Sequence, residues 1–394
     1  MKIAHIGDVH WGLNYPGPSP EARFNDITKT MDWAADRIID ERCDLVLFAG
    51  DAFKDARVYL DRASVEIKAF VNWLRKITTA GIPVVVISGT PSHDAISAYH
   101  LIAEMQIPFV NVFTTPGISS VGNIDIVCLP GMNRSSLVAQ EGYRTLPPHQ
   151  IHQIMTDKIT ETCQGLREQC KGSAILLSHL SYDMADKGFE DVLMQHEPVL
   201  TQEAIQGFDL VTLGHIHRPQ RNGNVFYCGS PERLSFNDEK IQAGFWIHDI
   251  DLELPYDNID STFIEAPARR FATLGFDQGC MEGLVQHGIY YFGSIIEEQI
   301  KNAIIRLHYS CSEDINKILD RKALERALMD AGAFYVAEIK ADVQRVDRAR
   351  DQEVTESLGP VEALAKWAGQ QGIEAEETAA LQSMTTGLLE EVAA

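Results

Sequence analysis

Lys2-Ile3-Ala4-His5-Ile6-Gly7-Asp8-Val9-His10 sets the reading of this chain: an apolar run stops at a glycine, and a carboxylate and an imidazole follow at once. Short apolar runs bounded by turn residues read as buried strands. The arrangement recurs down the chain. Leu45–Ala49 leads into Gly50-Asp51, Val84–Ile87 into Ser92-His93-Asp94, and Ala174–Leu177 into Ser178-His179. Leu210–Leu213 leads into Gly214-His215-Ile216-His217, and Val225–Tyr227 into Gly229-Ser230-Pro231-Glu232. Ile124–Leu129 and Phe245–Ile250 read as further strands. Between several of these lie helix-period segments. Ile27, Met31, Ala34, Ala35, Ile38 and Ile39 recur at three and four, and a second segment from about Arg62 to Thr79 ends at Gly81 before Pro83. Strand–helix alternation predicts an α/β layered core with strands buried on both faces. Every polar cluster then falls at a strand's carboxyl end, where open α/β sheets build their sites.

Carboxylates and imidazoles repeated at strand ends are what a pair of divalent ions requires. Asp oxygens suit manganese, magnesium or iron, and imidazole nitrogens shift the preference toward transition metals. Each motif is weak alone: Asp-x-His pairs arise by chance, and an isolated Gly-Asp is more often a turn. His215 and His217 straddle Ile216, so in an extended segment they share a face. Taken in this order, Asp8, His10, Asp51, His179, His215 and His217 read as the ligands of a metal centre. Other residues have plainer readings. His5 lies inside a strand and is expected to be packed or hydrogen-bonded, and His100 sits in a helix expected over Ala95–Met105. Trp11 and Tyr15 follow the first motif, where loop packing competes with stacking on a base. Lys54, Arg57, Arg62, Arg134 and Arg218 lie near the motifs, where phosphate contact competes with an ordinary solvated role.

The 394 residues exceed one typical domain, and 45% hydrophobic content can fill a large core. With 34 basic against 56 acidic residues the net charge is −22, which argues against a polycation-type nucleic-acid coat. It leaves a DNA enzyme open, because a local basic patch and bound divalent ions can invert the field at a site. Residues 351–394 hold nine acids against Lys366 alone and so carry −8 of the total. Seven scattered cysteines without a CxxC pair read as buried, reduced thiols. The first residues enter a strand with no signal-peptide pattern, and no apolar stretch approaches a membrane span. The expectation is a soluble, cytoplasmic protein with no membrane contact.

After residue 250 the pattern changes. Asn302–His308 and Phe334–Val343 read as strands flanking a helix at Arg321–Ala331, a small α+β unit. Residues 344–356 are charged and lack apolar rhythm, as a linker does. Gly359-Pro360 opens a helix carrying Val361, Leu364, Ala365 and Ala368 on one side. Gly372 breaks it, and Leu381, Met384, Leu388 and Val392 mark a second stripe. Such a pair is a capping hairpin or a docking module.

The series Gly-Asp-Val-His, Gly-Asp, Ser-His-Asp, a lone His after a strand and Gly-His-Ile-His resembles the calcineurin-like metallophosphoesterase superfamily. The segment Tyr227-Cys228-Gly229-Ser230-Pro231-Glu232-Arg233-Leu234-Ser235-Phe236 is similar to one in its SbcD-like nuclease subunits of double-strand-break repair complexes. The resemblance covers residues 1–250 well and the remainder more loosely. It implies a layered core of two mixed sheets flanked by helices over 1–250, a DNA-facing α+β cap over 251–345, and a linker with an ATPase-binding helical pair over 346–394. Metal one is then held by Asp8, His10, Asp51 and His217, and metal two by Asp51, His179 and His215, with Asp51 bridging. His93 would protonate the leaving oxygen or stabilise the transition state, and Asp94 would orient it. Arg233, Lys54 and Arg218 are the expected DNA contacts.

The implied activity is a manganese-dependent nuclease, with magnesium or iron as alternative ions. It would be exonucleolytic on duplex ends and endonucleolytic on single strands, nucleoid-associated, and a homodimer joined to an SMC-like coiled-coil ATPase of the SbcC type. The segments Arg62–Thr79 and Ala95–Met105 are where dimerisation is expected. A small-molecule phosphodiesterase or phosphatase, and a DNA- or ATPase-binding subunit with an impaired site, are the alternatives. One departure stands out. The family pattern Gly-Asn-His-Asp or Gly-Asn-His-Glu is replaced here by Gly89-Thr90-Pro91-Ser92-His93-Asp94, so the asparagine ligand is missing and Ser92 stands before the histidine. A hydroxyl is a poorer ligand than an amide oxygen, so weakened binding at metal two is expected.

Overall fold

The computed structural model describes residues 1–56, 64–132, 146–186, 198–251, 259–287, 294–344 and 358–393. Arg57, Arg62, Arg134 and the expected linker at 345–356 lie outside them. The chain divides into two compact units, one of residues 1–276, 288–308 and 320–340, the other of 277–287, 309–319 and 341–394.

The first unit is built on two six-stranded sheets. One runs in the order Asp260–Glu265, Gly244–Asp249, Lys2–Ile6, Leu45–Ala49, Val84–Ile87, Val110–Phe113, its last four strands parallel and its first two antiparallel. The other runs Gln220–Asn222, Val225–Tyr227, Leu210–Leu213, Ala174–Ser178, Ile124–Leu129, Gly117–Val121. Both sheets are mixed, as the resemblance implied.

The apolar strands are uninterrupted because both their faces are covered. Along Leu45–Ala49, Val46 and Phe48 point to a core shared with the helices Pro20–Asp40, Ser64–Thr79 and Ile96–Glu104, through Ile27, Met31, Phe70, Leu74 and Tyr99. Leu45, Leu47 and Ala49 point the other way, to a core between the sheets with Ile126, Cys128, Leu177, Leu210 and Phe226. A third core packs the far face of the second sheet, at Val127, Leu176 and Val211, on the helix Pro148–Arg167. Alternate residues of one strand therefore feed two cores, giving a helix–sheet–sheet–helix stack. The strand Asp260–Glu265 belongs to the first sheet, beyond the residue-250 limit expected for the core.

This unit also contains most of a three-stranded sheet in the order Arg270–Phe276, Ala303–Ser312, Tyr335–Gln344, and the helix Arg321–Asp330 between its last two strands in sequence. The division between units falls within those last two strands. In the second unit the helices Pro360–Gln370 and Ala375–Ala393 pack on each other. Ala368 is fully buried, whereas Met384, Leu388 and Val392 are 69%, 61% and 87% exposed. Of the second expected stripe Leu381 is half-buried, and the other three residues lie exposed. No described helix is long and apolar enough to cross a membrane.

Candidate metal centre

The carboxyl ends of the two parallel strand sets meet, and the polar clusters meet with them. Beyond Ile6 and Ala49 the backbones stay zipped: Asp8 N–H donates to the Gly50 carbonyl at 3.0 Å, His10 N–H to Asp51 at 3.0 Å, and Trp11 N–H to Ala52 at 2.8 Å. The loops bearing Asp8, His10 and Asp51 are thereby one braced piece. Trp11, 1% exposed, wedges beneath it against Phe70. Its indole donates to Thr28, so this ring is packing, not a stacking platform.

The ligand loops carry backbone strain. Asp8 (φ 52°), His10 (φ 54°), Asp51 (φ 50°) and His215 (φ 93°) all adopt the left-handed region that side chains disfavour. Such outliers cost about 1–3 kcal/mol each and persist where the fold over-determines them. Close approach adds its own demand: a methyl on Gly89 would overlap the Asp51 Oδ1. That oxygen also accepts from Thr90 N–H at 3.0 Å.

Two groups of donor atoms result, each within 4.8 Å: Asp8, His10 and His217, and Asp8, Asp51 and His179. Asp51 turns one oxygen to each side, Oδ2 lying 3.6 Å from His10 Nε2 and Oδ1 3.4 Å from His179 Nε2. His10 Nε2 and His217 Nε2 are 3.3 Å apart. Asp8 is common to both groups, and Asp51, the shared ligand in the sequence expectation, presents one oxygen to each side. His215 stands outside them. Its N–H donates to both Asp8 oxygens at 3.0 Å, and its ring meets His179 edge-on at 5.2 Å.

His179 tests whether these residues suit a cation. Its Nδ1 faces the Ala49 carbonyl at 2.6 Å and so carries the hydrogen, leaving the Nε2 lone pair on the side of Asp51. That Nε2 is buried and without a hydrogen-bond partner. An unmade buried hydrogen bond costs about 1–3 kcal/mol. Burial opposes charging this imidazole, yet Asp51 and Asp8 pull its pKa up to about 10. Something cationic belongs there, and a metal ion in the proton's place meets the same demand. Oxygen and imidazole donors fit a divalent ion of the manganese, iron or zinc kind.

A family model described as calcineurin-like phosphoesterase matches residues 1–219. The chain belongs to that family. Relatives of this calcineurin-like phosphoesterase include the "DNA double-strand break repair protein Mre11" of Aeropyrum pernix, 26% identical over 229 residues, 56% of this chain and 49% of that protein. Mre11 of Archaeoglobus fulgidus is 25% identical over 346 residues, 81% of this chain and 70% of that protein. A subunit of the SbcCD nuclease of Escherichia coli is 24% identical over 262 residues, 60% of this chain and 62% of that protein. The chain spans about half the length of the Aeropyrum protein. The calcineurin-like family uses a dinuclear metal site, and the two donor groups are this chain's candidates for it.

The remaining expected residues of this phosphoesterase fall as follows. His93 Nε2 lies 3.0 Å from Asp51 Oδ2, outside both groups, and that contact raises its pKa against burial. Ser92 Oγ lies 3.2 Å from His93 Nδ1, so it serves the imidazole and not an ion. Asp94 was expected to orient His93. Its oxygens instead accept from the backbone N–H groups of Gly89 (2.7 Å), Ala95 (2.9 Å) and Phe53 (3.2 Å), so it braces the loop. Burial, with the charge of Asp51, pushes Asp94 up to about 7. Burial likewise opposes ionisation of Asp51, but His179, His93 and His10 hold it well below the usual carboxylate range. Asp8 is raised, by burial first, and His10 is lowered to about 3 by burial.

Lys54 borders a cavity beside His10 and His217. Arg218 pairs with Asp186 at 2.5 Å, and the Arg233 Nε donates to the Ile241 carbonyl at 3.2 Å. His5 is packed between the sheets: burial lowers it to about 3, and its Nε2 lies 3.1 Å from the Leu213 carbonyl. His100 lies in the helix Ile96–Glu104, 3.0 Å from the Thr114 hydroxyl.

Sequence reasoning missed the supports of Asp8 and the second neighbour of His217. Ser230 Oγ lies 2.8 Å from the Asp8 carbonyl, and Cys228 Sγ 3.5 Å from Asp8 Oδ2. Asp238 Oδ1 lies 3.9 Å from His217 Nδ1. The Gly229–Glu232 cluster signalled the first; nothing near Asp238 signalled the second.

Proposed function

We propose that this chain is a DNA nuclease subunit that hydrolyses phosphodiesters with two divalent ions, manganese foremost. The observation that carries the reading is the pair of donor groups sharing Asp8, with His93 held outside them on Asp51. The names of the relatives, break-repair proteins and a nuclease subunit, supply the substrate class. On this reading Asp8, His10 and His217 would hold one ion, and Asp8, Asp51 and His179 the other, with His215 bracing Asp8 through its N–H. Divalent ions held there would supply water activation near neutral pH and neutralisation of charge on the phosphoryl group.

The chain's own residues do the rest. His93, with its side chain 40% exposed and its Nε2 3.0 Å from Asp51 Oδ2, is the residue to hold a proton for the leaving oxygen. Ser92 fixes the ring through Nδ1, and Asp94 fixes the loop that carries both. Lys54 meets a flanking phosphate, with Arg218 and Arg233 as further contacts. Residues 1–250 with the strand Asp260–Glu265 form the nuclease body, the rest of 251–345 a cap facing DNA, and 346–394 the module that grips an SMC-like ATPase. The uncovered Met384, Leu388 and Val392 support that last assignment. Homodimerisation through Ser64–Thr79 and Ile96–Glu104 completes the assembly.

The test is cleavage of labelled duplex and single-stranded DNA with manganese, with His93→Ala as control. Cleavage lost in a variant that still holds its metal supports the reading. Rapid turnover of a small phosphodiester beside inert DNA overturns it in favour of a small-molecule phosphodiesterase. The turning of Ser92 away from the ions favours a second reading, a binding subunit with an impaired site. Wild-type activity no higher than that of Asp8→Ala would establish that one.

A further inference from the structure

Next to the metal centre lies a cavity of about 380 Å³, within the range of small-molecule sites. It belongs wholly to the first unit. His10 and His217 are among its lining residues, so whatever occupies it lies beside one of the two donor groups. Leu13, Pro16, Leu234, Tyr15 and Phe236 also line it. Tyr15 is 57% exposed although its hydroxyl reaches the Ala337 carbonyl at 3.3 Å, so its ring is held in place and left open. Phe236 is fixed by Arg306, whose guanidinium lies 4.4 Å from the ring centroid, and by Phe271 edge-on at 5.0 Å. At the rim stand Lys54 and the exposed amide of Asn237.

A phosphodiester bound at the two histidines continues into an ester substituent. Ser235 and Asp238 also line the cavity, the Asp238 Oδ2 already taken by the Leu234 and Ser235 N–H groups. A seat with apolar, aromatic walls, a cation and an amide suits a substituent with a flat face, a polar edge and a further phosphate. We infer that this cavity seats one unpaired nucleobase adjoining the scissile phosphate, stacked on Tyr15, with Lys54 on the neighbouring phosphate. The inference deepens the nuclease reading and rests on it. It makes each cut depend on a base being splayed from its neighbours, and every base has a face to stack.

The test uses the full chain with manganese on an end-labelled single-stranded oligonucleotide and its twin carrying one abasic residue. Wild-type protein should cut one of the two bonds flanking the abasic residue at least about tenfold more slowly than the same bond in the intact strand, the loss expected from one missing stack. Tyr15→Ala should erase that difference by raising KM on the intact strand, while Tyr15→Phe, which keeps the ring, should preserve it. Equal cutting of both strands by wild-type protein overturns the base seat and leaves the nuclease reading standing. So does full discrimination in Tyr15→Ala. No cutting of either strand, with a small phosphodiester still hydrolysed, overturns the nuclease reading and the seat together.

Discussion

Asp51 and His179 lie fully buried where the two sheets converge, while His10 and His217 face a cavity, the His217 side chain being 20% exposed. Both groups use Asp8, yet they present different problems to an ion. The inner group has its donors aimed by backbone: Thr90 N–H holds Asp51, and the Ala49 carbonyl fixes the His179 tautomer. Its weakness is number, since the loop that should add a side-chain donor gives Ser92 to His93. The outer group is more accessible and shares its histidines with the adjoining cavity. Burial thus separates holding an ion from meeting a substrate, although one carboxylate serves both.

That contrast can be broken most sharply at the shared residue. Asp8→Asn keeps the shape and removes the charge, so both ions should be lost together. Two ions, each worth several kcal/mol at the transition state, imply a fall in cleavage of about 10⁴-fold or more. Metal content measured by mass spectrometry on the same sample decides it, and full retention of one ion would show that the groups do not depend on Asp8 alike. His93→Ala should slow cleavage by about a hundredfold to a thousandfold while leaving metal content intact. Loss of metal in that variant would make His93 a support of Asp51 instead of a proton donor. Calorimetric titration of the metal-free protein with manganese should give two steps, the inner weaker by about tenfold or more for want of a donor. Two equal steps would show that backbone aim compensates for the missing amide.

Glu232 sharpens the comparison at a buried carboxylate away from the ions. Burial is the main cause raising it to about 7 from 4.5, Arg23 opposing. A folded value above the unfolded one means the folded protein favours the protonated form. The stability so gained is complete below pH 4.5 and is lost as pH rises through about 7. Glu232→Gln should remove that slope from chemical-denaturation curves taken between those limits, since its amide oxygen can take the Oε1 place and still accept from the Arg233 and Arg269 N–H groups, while its NH2 takes the Oε2 place and donates to the Thr30 hydroxyl. A slope unchanged in the variant would place the titration elsewhere. The smallest effect belongs to the other unit: Leu388→Glu, at an uncovered position, should move stability by no more than about 0.5 kcal/mol. A larger loss would mean the stripe is covered after all.

The sequence made the central strands legible because double-sided burial leaves an uninterrupted apolar run. Leu45–Ala49, Val84–Ile87 and Leu210–Leu213 fall as expected. Edge strands escaped notice. Val110–Phe113, Gly117–Val121 and Asp260–Glu265 have partly exposed, mixed residues that leave no uninterrupted apolar run to read. The identity of the clustered side chains was likewise readable, whereas their division was not. How the Asp8 and Asp51 oxygens are apportioned, and that Ser92 meets the His93 imidazole, depends on torsions that a string of residues does not encode. Asp94 shows the same limit, since its partners are backbone groups with no sequence signature.

The left-handed torsions at Asp8, His10, Asp51 and His215 set a ceiling on how far this corner can be hardened against heat. Glycine alone would relax those turns, and glycine has nothing to offer a cation. Selection or engineering for a tougher protein is therefore barred from the four places where the main chain is least comfortable. Any gain in durability must be found elsewhere in the molecule.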